Sequence, residues 1–222
     1  RSLVGRLPRP LTHLLNAVLW DGLRFHRYVV GPSSIAGHHA DSNGNLRHSV
    51  EVAETSLSLA VADAAACRSV LVLAALLHDA GKAEEYEYDH ARRCFTMSTR
   101  GILVGHKHTL LEWIAAARAE HRVAVPEDHY LGLLHCLTAA KGPDYLGLRP
   151  PVTREATILS AADRLSGHAD LIAQTAPQSA GFGRYHKHLG GRAFVVADAD
   201  NDPMRSLEAL PRPAPASPLH GP

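Results

Sequence analysis

The sequence has few aromatic residues, few cysteines and almost no net charge. Phe, Trp and Tyr make up 5% of its 222 residues, and 23 Lys and Arg against 22 Asp and Glu leave a formal charge of +1. This balance excludes a strongly basic surface over the whole protein, although a local basic patch is compatible with it. The composition is 45% hydrophobic and rich in Ala and Leu, which favours a helical protein with a sizeable core.

The three cysteines, Cys67, Cys94 and Cys136, are odd in number and lack Cys-x-x-Cys spacing. They are typical of buried, reduced thiols in a cytoplasmic protein, because structural disulfides belong to oxidising compartments. No apolar run approaches the roughly 18 residues that a membrane-spanning helix needs, so we expect no membrane association. The chain begins at Arg1, and we expect it to be part of a longer protein or of a multi-component system that processes DNA or RNA.

Apolar residues recur with the helical period over most of the chain. This periodicity predicts six helices, over residues 11–28, 46–66, 68–79, 106–120, 126–140 and 153–175. Thr153 is the expected N-cap of the last helix. Residues 31–45 are rich in Gly, Ser and Asn and are predicted as a loop, and residues 85–101 as a short hairpin or an irregular loop.

The predicted fold is all-α and has two parts. Residues 1–184 form a domain of six or seven helices, and residues 185–222 form an irregular or disordered tail in which the periodicity fades. The end of this tail, residues 211–222, is rich in proline, a composition that favours disorder.

Four polar residues interrupt the apolar faces of three predicted helices. They are His48, the adjacent pair His78 and Asp79 at the end of the apolar run 71–77, and Asp163. A buried carboxylate without a partner is costly, and one divalent cation would satisfy two imidazoles and two carboxylates at once. Taken singly, such a histidine is more often a hydrogen-bonded core residue and such an aspartate a helix cap or ion-pair partner. Taken together, the four favour a metal site.

The order His, then His-Asp, then Asp resembles the signature of the HD superfamily of metal-dependent phosphohydrolases. The matching stretches are LRHSVEVA, LLHDAGK and SAADRLSG. The longer segment PSSIAGHHADSNGNLRHSVEVA is similar to the start of the HD domains of TraI-type conjugative relaxases and of YhaM-type 3′–5′ exoribonucleases. Downstream, GILVGHKHTLLEWI and RPPVTREATILSAADRLSG resemble the YhaM type more closely. The resemblance implies an HD-domain helical bundle.

The resemblance also implies a divalent metal ion whose ligands are His48, His78, Asp79 and Asp163. This ligand set admits Mn, Fe, Co, Ni or Zn. In two-metal members of the superfamily, a histidine after a glycine and a downstream His-His pair bind a second ion. Here His106 matches the first, but Ala140 and Lys141 occupy the places of the pair. We therefore expect one firmly held ion, and a second that is weakly bound or absent.

Asp79 and Lys82 are the predicted catalytic residues, because Asp79 can orient a metal-bound water and the lysine of the HD-x-GK pattern often contacts phosphate in the superfamily. The predicted substrate-binding residues are His38, His39, His106, Lys141 and Arg164. Most of these residues also have an explanation without a role in function. Lys82 also suits a surface position at a helix end, Lys141 a solvated loop and Arg164 an ion pair with a surface carboxylate. His38 and His39 also suit a flexible loop without function.

Two classes of function follow from these residues. The first is a metal-dependent phosphohydrolase or phosphodiesterase acting on nucleic-acid or nucleotide phosphodiesters, which the complete ligand set favours. The second is a nucleic-acid-binding or relaxase-like module of a DNA transfer system with weakened or no hydrolysis, which the missing His-His pair favours. RNA, DNA and nucleotides all remain open as substrates.

Overall fold

The described part of the chain, residues 2–142 and 147–197 of a computed structural model, is mainly helical. The α-helices are α1 (Arg9–Leu19), α2 (Arg24–Val30), α3 (Gly44–Leu59), α4 (Arg68–Leu77), α5 (Lys82–Glu85), α6 (Thr99–Leu103), α7 (Gly105–Glu120), α8 (Glu127–Thr138) and α9 (Arg154–Thr175). The strands form two antiparallel hairpins, β1 (Tyr86–Asp89) with β2 (Cys94–Met97), and β3 (Gly181–His186) with β4 (Gly191–Val195). The chain divides into two compact units between Leu171 and Ile172. No helix in the described ranges is long and apolar enough to cross a membrane.

The helical fold agrees with the sequence prediction, since seven of the described helices have seven or more residues. The first predicted helix is two helices, α1 and α2, because the chain turns between them with Gly22 at a φ of 54°. Thr153 is the N-cap of α9, and its Oγ1 accepts a hydrogen bond of 3.2 Å from the backbone N–H of Ala156. Residues 85–101 contain the expected hairpin, β1 with β2.

Beyond residue 184 the structure differs from the irregular tail that we expected. Strands β3 and β4 pair across this region, with an irregularity in register between Phe182 and Tyr185. Four glycines in 181–191 and the shifted register hide the alternation by which a strand is recognised in sequence. The Pro-rich residues 211–222 lie outside the described residues.

The core of the first unit surrounds α4. Every residue from Val70 to Leu77 is buried, because α4 packs against α1, α3 and α8 and has no side left for solvent. The residues that directly follow this helix, His78 and Asp79, therefore still lie inside the protein.

The cysteines are free thiols, but only Cys136 is buried. Burial raises the pKa of the Cys136 thiol to about 12, so it stays protonated and unreactive. Cys67 is half-buried, and Cys94 is exposed. The expectation of three buried thiols is wrong for Cys94, because β2 belongs to a two-stranded hairpin that is open to solvent.

A close backbone contact at Gly81 joins the end of α4 to the start of α7. A Cβ atom added at Gly81 would lie 2.0 Å from the carbonyl oxygen of His106, far inside any real contact. This approach brings the ring of His106 towards Asp79, with Nε2 3.6 Å from Asp79 Oδ1. Only glycine, which has no Cβ atom, permits the two backbones to approach so closely at this position.

We predict that Gly81→Ala lowers the free energy of unfolding by about 2 kcal/mol, since the added methyl group must displace backbone. Gly132→Ala is a matched control, because its Cβ would meet Val70 Cγ1 at an ordinary 3.7 Å. In the interior of α8 that change should stabilise the protein by roughly 0.5–1 kcal/mol through helix propensity. Urea unfolding of the three proteins measures both effects. Equal stability of Gly81→Ala and the parent would contradict the close approach.

Candidate metal centre

Four residues from three parts of the chain bring metal-binding atoms together. His48 lies on α3, His78 and Asp79 directly follow α4, and Asp163 lies on α9. His48 Nε2 is 3.0 Å from Asp163 Oδ1 and 3.3 Å from His78 Nε2. Asp79 Oδ2 is 3.7 Å from His48 Nε2 and 3.6 Å from His78 Nε2. The residues that the sequence predicted as metal ligands therefore meet at one point.

Hydrogen bonds on the far side of each imidazole leave Nε2 without a proton. His48 Nδ1 lies 3.0 Å from Ser166 Oγ, and this hydroxyl donates to Glu51 Oε2 at 2.8 Å. Because the hydroxyl proton is directed at Glu51, Ser166 Oγ accepts from His48 Nδ1–H. His78 Nδ1 lies 2.7 Å from the carbonyl oxygen of Ala75, which can only accept. Both histidines therefore carry their proton on Nδ1 and present a lone pair at Nε2.

The four atoms fit a divalent cation. The two proton-free nitrogens lie 3.3 Å apart, and one oxygen of each carboxylate lies 3.0–3.8 Å from both of them. They have no proton to share, so they repel unless a cation lies among them. Ligands that surround one ion at 2.0–2.2 Å are separated by about 3.4 Å when tetrahedral. The observed spacing is thus that of a mixed nitrogen and oxygen ligand set.

The charges of the neighbours keep these groups in the form that binds metal. Burial raises the pKa of Asp79, but the Lys82 ammonium and the nearby imidazoles lower it more, so it lies well below its usual value. Burial likewise raises the pKa of Asp163, but the adjacent imidazoles of His48 and His78 bring it below normal. Burial lowers the pKa of His78. At neutral pH the carboxylates are ionised and this imidazole is neutral, as metal binding requires.

Lys82 is part of this centre. Its Nζ lies 2.6 Å from Asp79 Oδ2 and 3.3 Å from Ser33 Oγ, and the same hydroxyl lies 3.3 Å from Asp79 Oδ2. The side chain of Lys82 is only 10% exposed, which argues against a solvated surface lysine. Asn45 Nδ2 donates to the carbonyl oxygen of Asp79 at 3.1 Å, so the backbone and the side chain of Asp79 are both held.

A cleft of about 250 Å³ opens over the centre. His78, Asp79, Asp163 and Lys82 line it together with His38 and His106. A second, larger cavity of about 710 Å³ shares Lys82 with it, and Tyr86, Tyr88 and Phe95 form part of its wall. The centre is therefore open to a substrate larger than water.

A sequence model of the HD domain matches residues 45–167, more than half of the chain. The chain belongs to the HD-domain family. The match runs from just before His48 to just after Asp163, and so contains the whole ligand set.

The chain is also similar to a protein named as an exoribonuclease. Over 146 residues the chain is 27% identical to the 3′–5′ exoribonuclease YhaM of Bacillus licheniformis. This similarity covers 65% of the chain and 45% of the relative, so the chain spans less than half of that protein's length. No solved structure matches the chain. The likeness to TraI-type relaxases stays a prediction.

His106 of the HD domain is held in the same way as the two ligand histidines. Its Nδ1 lies 2.7 Å from Glu85 Oε2, and its backbone N–H donates to the same oxygen at 2.6 Å. The opposite nitrogen, Nε2, faces Asp79 Oδ1 at 3.6 Å. His106 therefore lies where it can contact a substrate or help to hold a second ion.

The two histidines of the loop before α3 have different positions. His38 is half-buried and lines the cleft. His39 is 2% exposed, its Nε2 lies 3.0 Å from Glu51 Oε2, and its backbone N–H donates to Asp170 Oδ2 at 2.6 Å. The loop folds the ring of His39 back against α3 and α9, a geometry that gives no support to the expected contact with substrate, which stays a prediction. His39 supports the loop that carries His38.

Lys141 and Arg164 do not line the cleft as the structure describes it. Both are exposed. Lys141 lies beyond the end of α8, and Arg164 points away because successive helical residues differ by about 100° in direction. Their proposed contacts with substrate find no support in this geometry.

Sequence reasoning missed the residues that hold the ligands, above all Ser33, Glu51, Glu85 and Ser166. Two of them carry a signal that could have been found. Glu51 follows His48, and Ser166 follows Asp163, at the spacing that places residues on one helix face. Ser33 and Glu85 come from a loop and a short helix, where spacing gives no such guide.

We predict that Mn²⁺ raises the melting temperature of the parent and that Asp163→Ala removes this effect. An ion at about 100 times its dissociation constant stabilises a protein by about 2.7 kcal/mol, and the substitution removes one of four ligands. Asp128→Ala, at an exposed carboxylate of α8, is the control and should behave like the parent. Thermal melts with and without Mn²⁺, together with metal analysis, test this. Full metal content in Asp163→Ala would show that the ligand set is wrong.

Ser166→Ala should weaken metal binding about 10- to 100-fold, the usual effect of removing a group that orients a metal-binding histidine. The change leaves His48 Nδ1–H without the acceptor that fixes its tautomer. Ser160→Ala is the matched control, because Ser160 lies on the same helix and lines the cleft. Isothermal titration with Mn²⁺ compares the two. The same affinity in both variants would rule out the positioning effect.

Proposed function

We propose that this HD domain is a metal-dependent phosphodiesterase that acts on RNA. The observation that carries the proposal is the set of four proton-free ligand atoms beside Lys82 in an open cleft. Family membership supports phosphohydrolase chemistry, and the relative named as a 3′–5′ exoribonuclease supports RNA as the substrate. A cytoplasmic location and a place in a larger RNA-processing system belong to the same proposal.

One divalent ion, Mn, Fe, Co, Ni or Zn, would be held by His48, His78, Asp79 and Asp163. When bound, such an ion supplies a Lewis acid for the phosphate and lowers the pKa of a bound water. A second ion would be weakly bound or absent, because His106 lacks the partner histidines whose places Ala140 and Lys141 occupy.

The protein's own side chains would orient the phosphodiester. The ammonium of Lys82 keeps Asp79 ionised and offers its remaining N–H groups to a phosphate oxygen. His106 donates from Nδ1 to Glu85, so its Nε2 is free to accept a hydrogen bond or, as the imidazolium, to donate one to substrate. Asp79 would also orient the attacking water through the oxygen that faces His106.

The larger cavity supports a polymeric substrate. Tyr88 and Phe95 are cross-strand partners in the first hairpin, with ring centroids 5.2 Å apart, and both line this cavity. Aromatic rings bind nucleobases by stacking. A phosphate at Lys82, which lines both cavities, would therefore place a neighbouring base against this hairpin.

The second candidate function is RNA binding without hydrolysis. The observation that favours it is the absence of the His-His pair from the sequence. The comparisons give no support to the relaxase-like form of this alternative. An assay of turnover separates the two candidates directly.

We predict Mn²⁺-dependent hydrolysis of bis-p-nitrophenyl phosphate and of short single-stranded RNA, which EDTA abolishes. Lys82→Met should reduce RNA hydrolysis about a hundredfold, the usual effect of removing one group that stabilises developing negative charge. Lys107→Met is the matched control, because this lysine also lines the cleft but is exposed. Rates on RNA, single-stranded DNA and nucleotides define the substrate. No turnover with any divalent ion in metal-loaded protein would favour the binding module.

A further inference from the structure

The hairpin of β3 and β4 exposes three aromatic rings. Phe182, Tyr185 and Phe194 are 63%, 65% and 54% exposed. Phe182 and Phe194 are cross-strand partners, and their rings meet edge to face with centroids 4.7 Å apart. The small residues Gly183 and Ala193 are the buried ones, so the large rings do not fill a core among the described residues. Exposed rings that are paired across a hairpin are typical of a binding surface.

The hairpin itself is basic. Residues 181–195, which form it, contain three basic residues, Arg184, Lys187 and Arg192, and no Asp or Glu, whereas Asp198, Asp200 and Asp202 follow it in the sequence. The guanidinium carbon of Arg192 lies 5.6 Å from the centroid of the Phe182 ring. Lys187 is exposed in the turn. Cations therefore lie beside the rings, in a hairpin that has no carboxylate of its own.

The arginines are fixed in place by the hairpin itself. Arg192 Nε donates to the carbonyl oxygen of Gly183 at 2.7 Å, and a terminal nitrogen of Arg184 donates to the carbonyl oxygen of Gln174 at 3.0 Å. Each guanidinium has five N–H groups, so these bonds orient the charge and leave donors for an anion. No ion pair of either arginine occurs within the described ranges.

We infer that the hairpin β3–β4 is a second, non-catalytic binding surface for single-stranded RNA, formed by exposed Phe182, Tyr185 and Phe194 beside Arg184, Lys187 and Arg192. Stacking of bases on aromatic rings along a basic surface is the usual chemistry of single-strand binding, and it needs no particular base. The positive charge favours a polyanion over an apolar protein partner. The choice of RNA over other polyanions rests on the proposed function.

The test uses the whole chain, treated with EDTA so that RNA is bound but not cut. Fluorescence anisotropy with a labelled 15-nucleotide oligouridylate measures the dissociation constant. Phe182→Leu/Phe194→Leu should raise that constant about tenfold or more, since each base–ring stack contributes strongly. Leucine keeps the apolar area, so a surface for an apolar partner would not lose affinity. Trp20→Ala, which removes a 66% exposed ring from the first unit, should leave the constant unchanged.

A second variant tests the charge without touching the rings. Lys187→Glu reverses one exposed charge, and it should weaken binding and reduce the salt dependence of the affinity by about one counterion. Unchanged affinity in both this variant and the leucine variant would overturn the inference. Binding to phosphatidylglycerol vesicles but not to RNA would also overturn it and assign the hairpin to a membrane surface.

The inference and the proposed function can fail separately. The hairpin variants should hydrolyse bis-p-nitrophenyl phosphate with Mn²⁺ at the parental rate, because none of the changed residues belongs to the metal centre. If the parent binds RNA through the hairpin and hydrolyses nothing, the proposed function fails and the inference stands. If the parent cleaves RNA and the hairpin variants bind it equally well, only the inference fails.

Discussion

Two imidazole nitrogens that carry no proton lie 3.3 Å apart, and two carboxylate oxygens lie 3.0–3.8 Å from them, at a point where His48 and Asp79 are buried. These atoms repel one another unless a cation lies among them, and this repulsion is the main constraint on the site. Helix α4, buried on every side, carries His78 and Asp79 into the interior. Helices α3 and α9 bring the other two ligands to the same point. The Lys82 ammonium pairs with Asp79, whereas one divalent cation would satisfy all four groups at once.

Several hydrogen bonds keep the ligands in place and so preform the site. Ser166 and Glu51 orient His48, the carbonyl oxygen of Ala75 orients His78, and Ser33 and Lys82 hold Asp79. Each of these partners satisfies a polar group that would otherwise cost about 1–3 kcal/mol when buried. Because the ligands are fixed before an ion arrives, little conformational entropy needs to be lost on binding.

The sequence predicted the helices and singled out four residues whose side chains converge, because these signals are local. Apolar periodicity identified α3, α4, α7, α8 and α9, and short motifs identified His48, His78, Asp79 and Asp163. The buried position of His39 could not be predicted in this way, because it depends on contacts with Glu51 and with Asp170, which is 131 positions away. The partnership of Ser166 with His48, over 118 positions, is equally non-local. Strands β3 and β4 were not predicted from the sequence, because glycines and a shifted register interrupt their alternation. The exposed rings and cations of the second unit were therefore not predicted either.

In the proposed function, the open cleft, the shared Lys82 and the aromatic wall of the adjoining cavity would connect the candidate metal centre to a nucleic-acid substrate, and hydrolysis would require the ion. The most direct measurement is anomalous diffraction at the manganese edge from crystals grown with Mn²⁺. We expect one strong peak at about 2.0–2.3 Å from Nε2 of His48, Nε2 of His78 and a carboxylate oxygen each of Asp79 and Asp163. The absence of density among these four residues, or an ion bound elsewhere without them, would contradict this expectation.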